Sequence, residues 1–131
     1  MKRIEQRVID KAKKQDEKMI QQQFSDLKRL LSEAGFRFKS ISNTKLVIDL
    51  GVNEQTVIEI YPFAGFGGFY KRFVIKLCNV QFESDFFKSM NSAERRNCEY
   101  DEASSLYGVL DSINTMLDLF EKDEYYLNQQ K

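Results

Sequence analysis

What this chain lacks bounds its chemistry first: it has no histidine. Ser–His and Cys–His nucleophiles are therefore excluded, as are zinc sites that use imidazole. Its two cysteines, Cys78 and Cys98, stand apart without a CxxC pattern. They make a poor metal site, and each reads as a small buried apolar residue. Two carboxylates offer more. Asp49 and Glu59 fall in two neighbouring runs with strand periodicity, so they would share one sheet face, diagonal to each other, flanked by Val47 and Val57. Rings and cations concentrate in a third place, Tyr61-Pro62-Phe63-Ala64-Gly65-Phe66-Gly67-Gly68-Phe69-Tyr70-Lys71-Arg72. This stretch holds the only proline and three of the six glycines. Its glycines permit a tight turn, and Phe63, Phe66, Phe69 and Tyr70 beside Lys71 and Arg72 are the residue types that anchor interfaces. It is not a phosphate cradle, because it contains neither GxxxxGK[ST] nor GxGxxG and joins two strands.

Three resemblances follow from these residues. Asp49 with Glu59-Ile60-Tyr61, on adjacent strands after a helix, resembles the restriction-endonuclease-like core. That likeness implies a Mg²⁺-dependent nuclease, although Tyr61 stands where the family carries a lysine. The order of a helix, strands and a helix is similar to a double-stranded-RNA-binding domain, which docks on phosphates with lysines at the start of its second helix. Here the corresponding residues, Tyr100-Asp101-Glu102-Ala103-Ser104, are acidic. The run Gly65–Val74 loosely resembles the Gly-aromatic signature of RNA-recognition motifs. It has an extra glycine and no leading Lys or Arg, and the strand-helix-strand-strand-helix-strand order is missing.

The elements that must position these residues are legible as periodicities. Ile20, Phe24, Leu27, Leu31 and Ala34 draw one stripe along a helix. Gly35 then supplies a left-handed ending, with Phe36 folding back onto Leu31. Residues 1–19 continue the helical propensity without the stripe and form a polar arm that projects from the domain. Residues 36–41 form a short strand. Lys45–Leu50 and Thr56–Tyr61 alternate, and pairing Ile48 with Ile58 and Leu46 with Ile60 places all four in the core. Phe69–Leu77 adds Phe73, Ile75 and Leu77 to that side. Asp85–Met90 suggests one helical turn, and Ser92 caps a short helix or loop over 91–97. Asp101 is expected to cap a final helix with the stripe Ala103, Leu106, Leu110, Ile113, Leu117 and Phe120. Residues 123–131 read as a frayed polar tail.

The expected fold class is α+β: an antiparallel sheet of about four strands, a meander, covered on one face by an N-terminal and a C-terminal helix. Residues 20–122 form the single domain. With 131 residues the chain is long enough for a core without staples. The other sheet face shows Arg37, Lys39, Val47, Asp49, Val57, Glu59, Tyr61, Tyr70, Arg72, Val74 and Lys76. No apolar run approaches the roughly 18 residues of a membrane span, the N-terminus lacks a secretory segment, and a reducing cytoplasm is expected.

Net charge is zero, but residues 1–29 are net positive and residues 82–131 net negative, which suits charge complementarity to a partner. A composition rich in Lys, Asn, Ile, Phe and Tyr points to an AT-rich genome. The expected function is a small non-enzymatic binding protein for a macromolecular, above all protein, partner or a second copy. Its setting would be an accessory protein of a phage or mobile element, or an inhibitor of a host defence complex. Its partner-binding residues would be Phe63, Phe66, Phe69, Tyr70, Lys71 and Arg72. The alternative is a nucleic-acid-binding module using Lys2, Arg3, Arg7, Lys11, Lys13, Lys14 and Lys18 of the arm with Arg37, Lys39 and Lys76 of the sheet. No cofactor, metal or membrane is expected.

Overall fold

The computed structural model describes residues 3–42, 45–64 and 70–131, the side chains of Ala64, Tyr70, Lys71 and Arg72 left aside. Its first element is a single helix, α1, Gln6–Glu33, which buries Ile20, Phe24, Leu27 and Leu31. The helix ends as its glycine dictates. Gly35 has φ +87°, and the Phe36 N–H donates to the Leu31 carbonyl while the Gly35 N–H donates to that of Ser32, the paired bonds of a Schellman ending. The first half of α1 continues the same helix as a solvent-exposed extension, with Ile9 and Asp16 only partly covered.

Five antiparallel strands follow, in sheet order β1-β2-β3-β4-β5. They are β1 (Arg37–Ser42), β2 (Lys45–Asp49), β3 (Val57–Ala64), β4 (Tyr70–Cys78) and β5 (Tyr100–Ala103). Leu46 pairs with Ile60 and Ile48 with Ile58. Ile58 opposes Leu77 and Ile60 opposes Ile75, so one face is a continuous apolar surface. Pro62 lies beyond the last β2–β3 pair and opposite Phe73 of β4. Between Gly51 and Thr56 the Asn53 side chain accepts from the Gln55 and Thr56 N–H groups, fixing the turn.

The fifth strand is the main departure from the sequence reading. Between β4 and β5 come two short helices, α2 (Asp85–Lys88) and α3 (Ser92–Glu99). Ser84 caps α2. Asn91, not Ser92, caps α3, accepting from the Glu94 N–H. Tyr100–Ala103 then pairs with β4, Ala103 opposite Phe73 and Asp101 opposite Ile75. Asp101 is therefore a strand residue and not a helix cap; its carboxylate accepts from the Ser112 hydroxyl. Ser105 caps the final helix, α4, Leu106–Gln129.

Helix α4 buries Val109, Ser112, Ile113, Met116 and Leu119. The expected stripe through Leu106, Leu110, Leu117 and Phe120 is its half-buried flank. The rotation has a local cause: Gly108 sits against Ala103, so close that a Cβ there would stand 3.1 Å from the Ala103 Cβ and 3.2 Å from Ser105 Oγ. Together with the Ser112 bond to Asp101, that contact turns this side of α4 toward β5. Residues 123–129, expected to be a frayed tail, are the last turns of α4. Asp123 accepts from the Glu83 and Ser84 N–H groups, and Tyr126 stacks on Phe86 with ring centroids 4.2 Å apart.

Helices α1 and α4 lie on the same sheet face and run in the same direction. The Phe24 ring meets Phe73 edge-on, and Phe73 opposes Ala103, beside the first turn of α4. Leu30 and Leu31, further along α1, share a groove with Leu110, Ile113 and Asn114. Leu27, Leu46, Ile48, Ile58, Ile60 and Ile75 are wholly buried between helices and sheet.

Candidate functional site

With both long helices on one face, the opposite face of the sheet is left for function. Strand alternation places Val57, Glu59, Tyr61 and Phe63 of β3 there, since Ile58 and Ile60 are buried on the other side. On β4 the same face carries Val74 and Lys76, and on β5 Tyr100 and Glu102, because Tyr61 opposes Val74 and Lys76 opposes Tyr100. Helix α3 packs against β4 and β5. Val74, expected to be an outer-surface residue, is 1% exposed, hemmed in register between Tyr61 and Glu102.

The result is a cleft of about 480 Å³ between α3 and the sheet, lined by Tyr61, Lys76, Ser92, Arg95, Arg96, Glu99 and Tyr100. Three cations, one carboxylate and two phenol rings meet in it. The Arg96 guanidinium lies 5.6 Å from the centre of the Tyr100 ring. Lys45 Nζ lies 5.9 Å from that of Tyr61 and 3.7 Å from a Glu59 carboxylate oxygen. Arg95 pairs with Glu99 at 3.2 Å across one turn of α3. The Tyr100 hydroxyl donates to Glu102 at 2.9 Å. Burial, reinforced by that bond to a carboxylate, pushes the Tyr100 phenol above its ordinary value. Both tyrosines are thus held in place by polar partners, while the cation excess gives the cleft a positive character. Phe63, on the same face at the end of β3, is 41% exposed.

The residues expected to form one site are distributed as follows. Phe63 is on the outer face and Lys76 in the cleft. Arg37 and Lys39 lie on β1, with β2 and β3 between them and β4, so they do not join Lys76. Arg3 precedes α1, and Arg7, Lys11, Lys13, Lys14 and Lys18 are exposed along its first half, away from the sheet. Phe66, Phe69 and Lys2 lie outside the described residues, as do the side chains of Tyr70, Lys71 and Arg72. Arg95, Arg96 and Tyr100 were missed by sequence reasoning. The signal present was their spacing: Arg96 and Tyr100 are one helical turn apart in a segment with no apolar stripe.

The carboxylates of the nuclease-like pattern are otherwise engaged. Asp49 accepts from the Gly51 N–H at 2.9 Å, and Glu59 pairs with Lys45. Among the described residues no group of three or more Cys, Asp or Glu side chains could hold a metal ion. The Tyr100–Ala103 segment, which the dsRNA-binding likeness would make a helix start, is a strand. Cys78 and Cys98 are both free and half-buried. Burial first, and Glu59 beside it, push the Cys78 thiol up, which disfavours a reactive thiolate. No helix among the described residues is long and apolar enough to cross a membrane.

Comparison with known protein families, with curated proteins and with solved structures finds no match.

Proposed function

We propose that this chain is a small non-enzymatic binding protein that captures a protein partner on the outer face of its sheet. The observation that supports this most is the α3 cleft, where Tyr61 and Tyr100 stand among Lys76, Arg95 and Arg96, with exposed Phe63 on the same face. Tyrosine and arginine dominate interface hot spots because they bring large contact area and directed polar groups at low entropic cost. The cation excess favours a partner segment that carries carboxylates. Two free thiols support a reducing, cytoplasmic setting. An AT-rich composition supports an origin in a phage or mobile element, where an accessory protein or an inhibitor of a host complex is the role we propose.

The test is a paired affinity purification from the native host with wild type and the double variant Tyr61→Ser/Arg96→Glu. Both positions flank the cleft without filling the core, so the two proteins should melt alike. The expected outcome is one or more host proteins retained by wild type and lost from the variant. Equal retention by both, or no specific retention, rules out the outer face as the capture surface.

A further inference from the structure

On a second surface, independent of the outer sheet face, we propose that the exposed side of α1 binds double-stranded nucleic acid along its phosphate backbone. Arg7, Lys11, Lys14, Lys18, Ser25 and Arg29 recur at intervals that return to one helix face, with glutamines at 21 and 22 filling the gap. Every one of these is exposed. The line runs from Arg7 to Arg29, about 33 Å at 1.5 Å per residue, and carries five cations and no carboxylate. Asp10, Asp16, Glu17 and Asp26 belong to other sides of the helix. Among the described residues no carboxylate pairs with Lys11, Lys14 or Lys18; Arg7 pairs with Glu5 and Arg29 with Asp26.

This arrangement is costly to a free helix. Glu5 is the N-cap residue of α1; its side chain makes no cap and the first turn holds no acidic residue, but its carboxylate pairs with Arg7, so the local anion at the helix start offsets Arg7 alone. The first half of the helix also gains little from tertiary packing, since its first buried residue is Ile20. A polyanion laid along the stripe supplies the negative charge that Lys11, Lys14 and Lys18 lack.

The stripe's chemistry selects among polyanions. It contains no aromatic ring, whereas proteins that hold single strands stack bases on rings. Lysine and arginine interleaved with Gln and Ser match contacts to phosphate and sugar, which position a protein without reading sequence. The part of α1 before Ile20, which buries no residue, has the width of a helix that a DNA major groove admits. An anionic membrane is a poorer fit, because the neighbouring line of α1 offers Val8, Ala12 and Met19 but no Trp, Phe or Leu to insert.

The experiment is a fluorescence-anisotropy titration of the full chain with 20-base-pair DNA and RNA duplexes, repeated over a range of salt. Five phosphate contacts to B-DNA, one per cation of the stripe, give a log–log salt slope of about −4.5, at about 0.9 per contact. The triple variant Lys11→Gln/Lys14→Gln/Lys18→Gln should keep the wild-type melting temperature and reduce the slope to about −1.8, the share of Arg7 and Arg29. Lys13→Gln, on another face, should leave the slope unchanged. Binding of either duplex with that pattern supports the proposal. Lack of binding at low salt and micromolar protein overturns it. So does equal affinity for poly-L-glutamate, binding only to phosphatidylserine vesicles, or a slope that the triple variant does not move. Loss of duplex binding leaves the outer-face reading standing, because Tyr61→Ser/Arg96→Glu touches none of these residues.

Discussion

Gly108 shows how one residue can oppose its own propensity. In an exposed helix, Gly→Ala gains about 1 kcal/mol. Here the new methyl would meet Ala103 Cβ at 3.1 Å, and that atom cannot move without shifting β5. Gly108→Ala should therefore destabilise, by about 1–3 kcal/mol as an overpacked contact, and a denaturant titration measures it. A gain in stability would mean that the α4–β5 contact is loose. Ile113 is the opposite case, buried to 1% under the helix–sheet layer. Ile113→Ala should cost about 2–5 kcal/mol, and Leu117→Ala distinctly less, because Leu117 lies on the half-buried flank. Equal losses at the two sites would restore the stripe that the leucine spacing suggested. The sequence could not separate them: both are apolar at helical spacing, and the rotation follows from contacts with β5, Gly108 on Ala103 and the Ser112 hydroxyl on Asp101.

At the scale of elements, α2 and the end of α4 depend on one carboxylate. Asp123 accepts from two backbone N–H groups. Burial works to raise its pKa, but the hydrogen bonds from Ser84 and Glu83 and the charge of Lys88 outweigh it, and the net direction is down. A folded pKa below the unfolded value, about 3.9 for Asp, means the contribution is fully present above that value. It is lost as pH falls through the lower, folded value. Asp123→Asn should thus melt below wild type at pH 7, with the gap narrowing as pH falls below about 4. A gap unchanged at pH 2 would show that charge on Asp123 plays no part. These anchors explain why residues 123–131 read as a tail. The apolar stripe stops at Phe120, and what holds the remaining turns is a carboxylate on backbone amides and Tyr126 stacked on Phe86, neither of which periodicity registers. Strand β5 was hidden for a related reason. It sends only Ala103 and Asp101 inward, and an aspartate before an apolar run looks like a helix cap.

At the scale of the whole molecule, the helix-on-sheet layer was legible because its two periods are unambiguous: alternately four and three residues apart on α1, two apart on β2, β3 and β4. The Ile48–Ile58 register followed, since any one-residue slip exposes four large side chains. The outer face was legible as a list of residues but not as a site, because the cleft needs α3 folded back beside Lys76 and Tyr61. The two ends of the chain should also differ. Deleting residues 1–18 removes exposed helix and should shift the melting temperature little. Deleting 123–131 removes the Asp123 and Tyr126 contacts and should lower it by several degrees, since about 1 kcal/mol corresponds to a few degrees in a domain of this size. Similar melts for both truncations would contradict the docking of the α4 end.

The central claim is that the outer sheet face, rather than some other exposed apolar spot, meets the partner. A photo-crosslinking residue placed at Phe63 or at Val52 tests it most directly. Both are well exposed, at 41% and 56%, but Val52 lies in the loop between β2 and β3, where it has no place in the cleft face. Illumination in the native host should give a discrete crosslinked band from position 63, abolished by Arg96→Glu, and none from position 52. A band from position 52 alone, or one from position 63 that survives Arg96→Glu, contradicts the account.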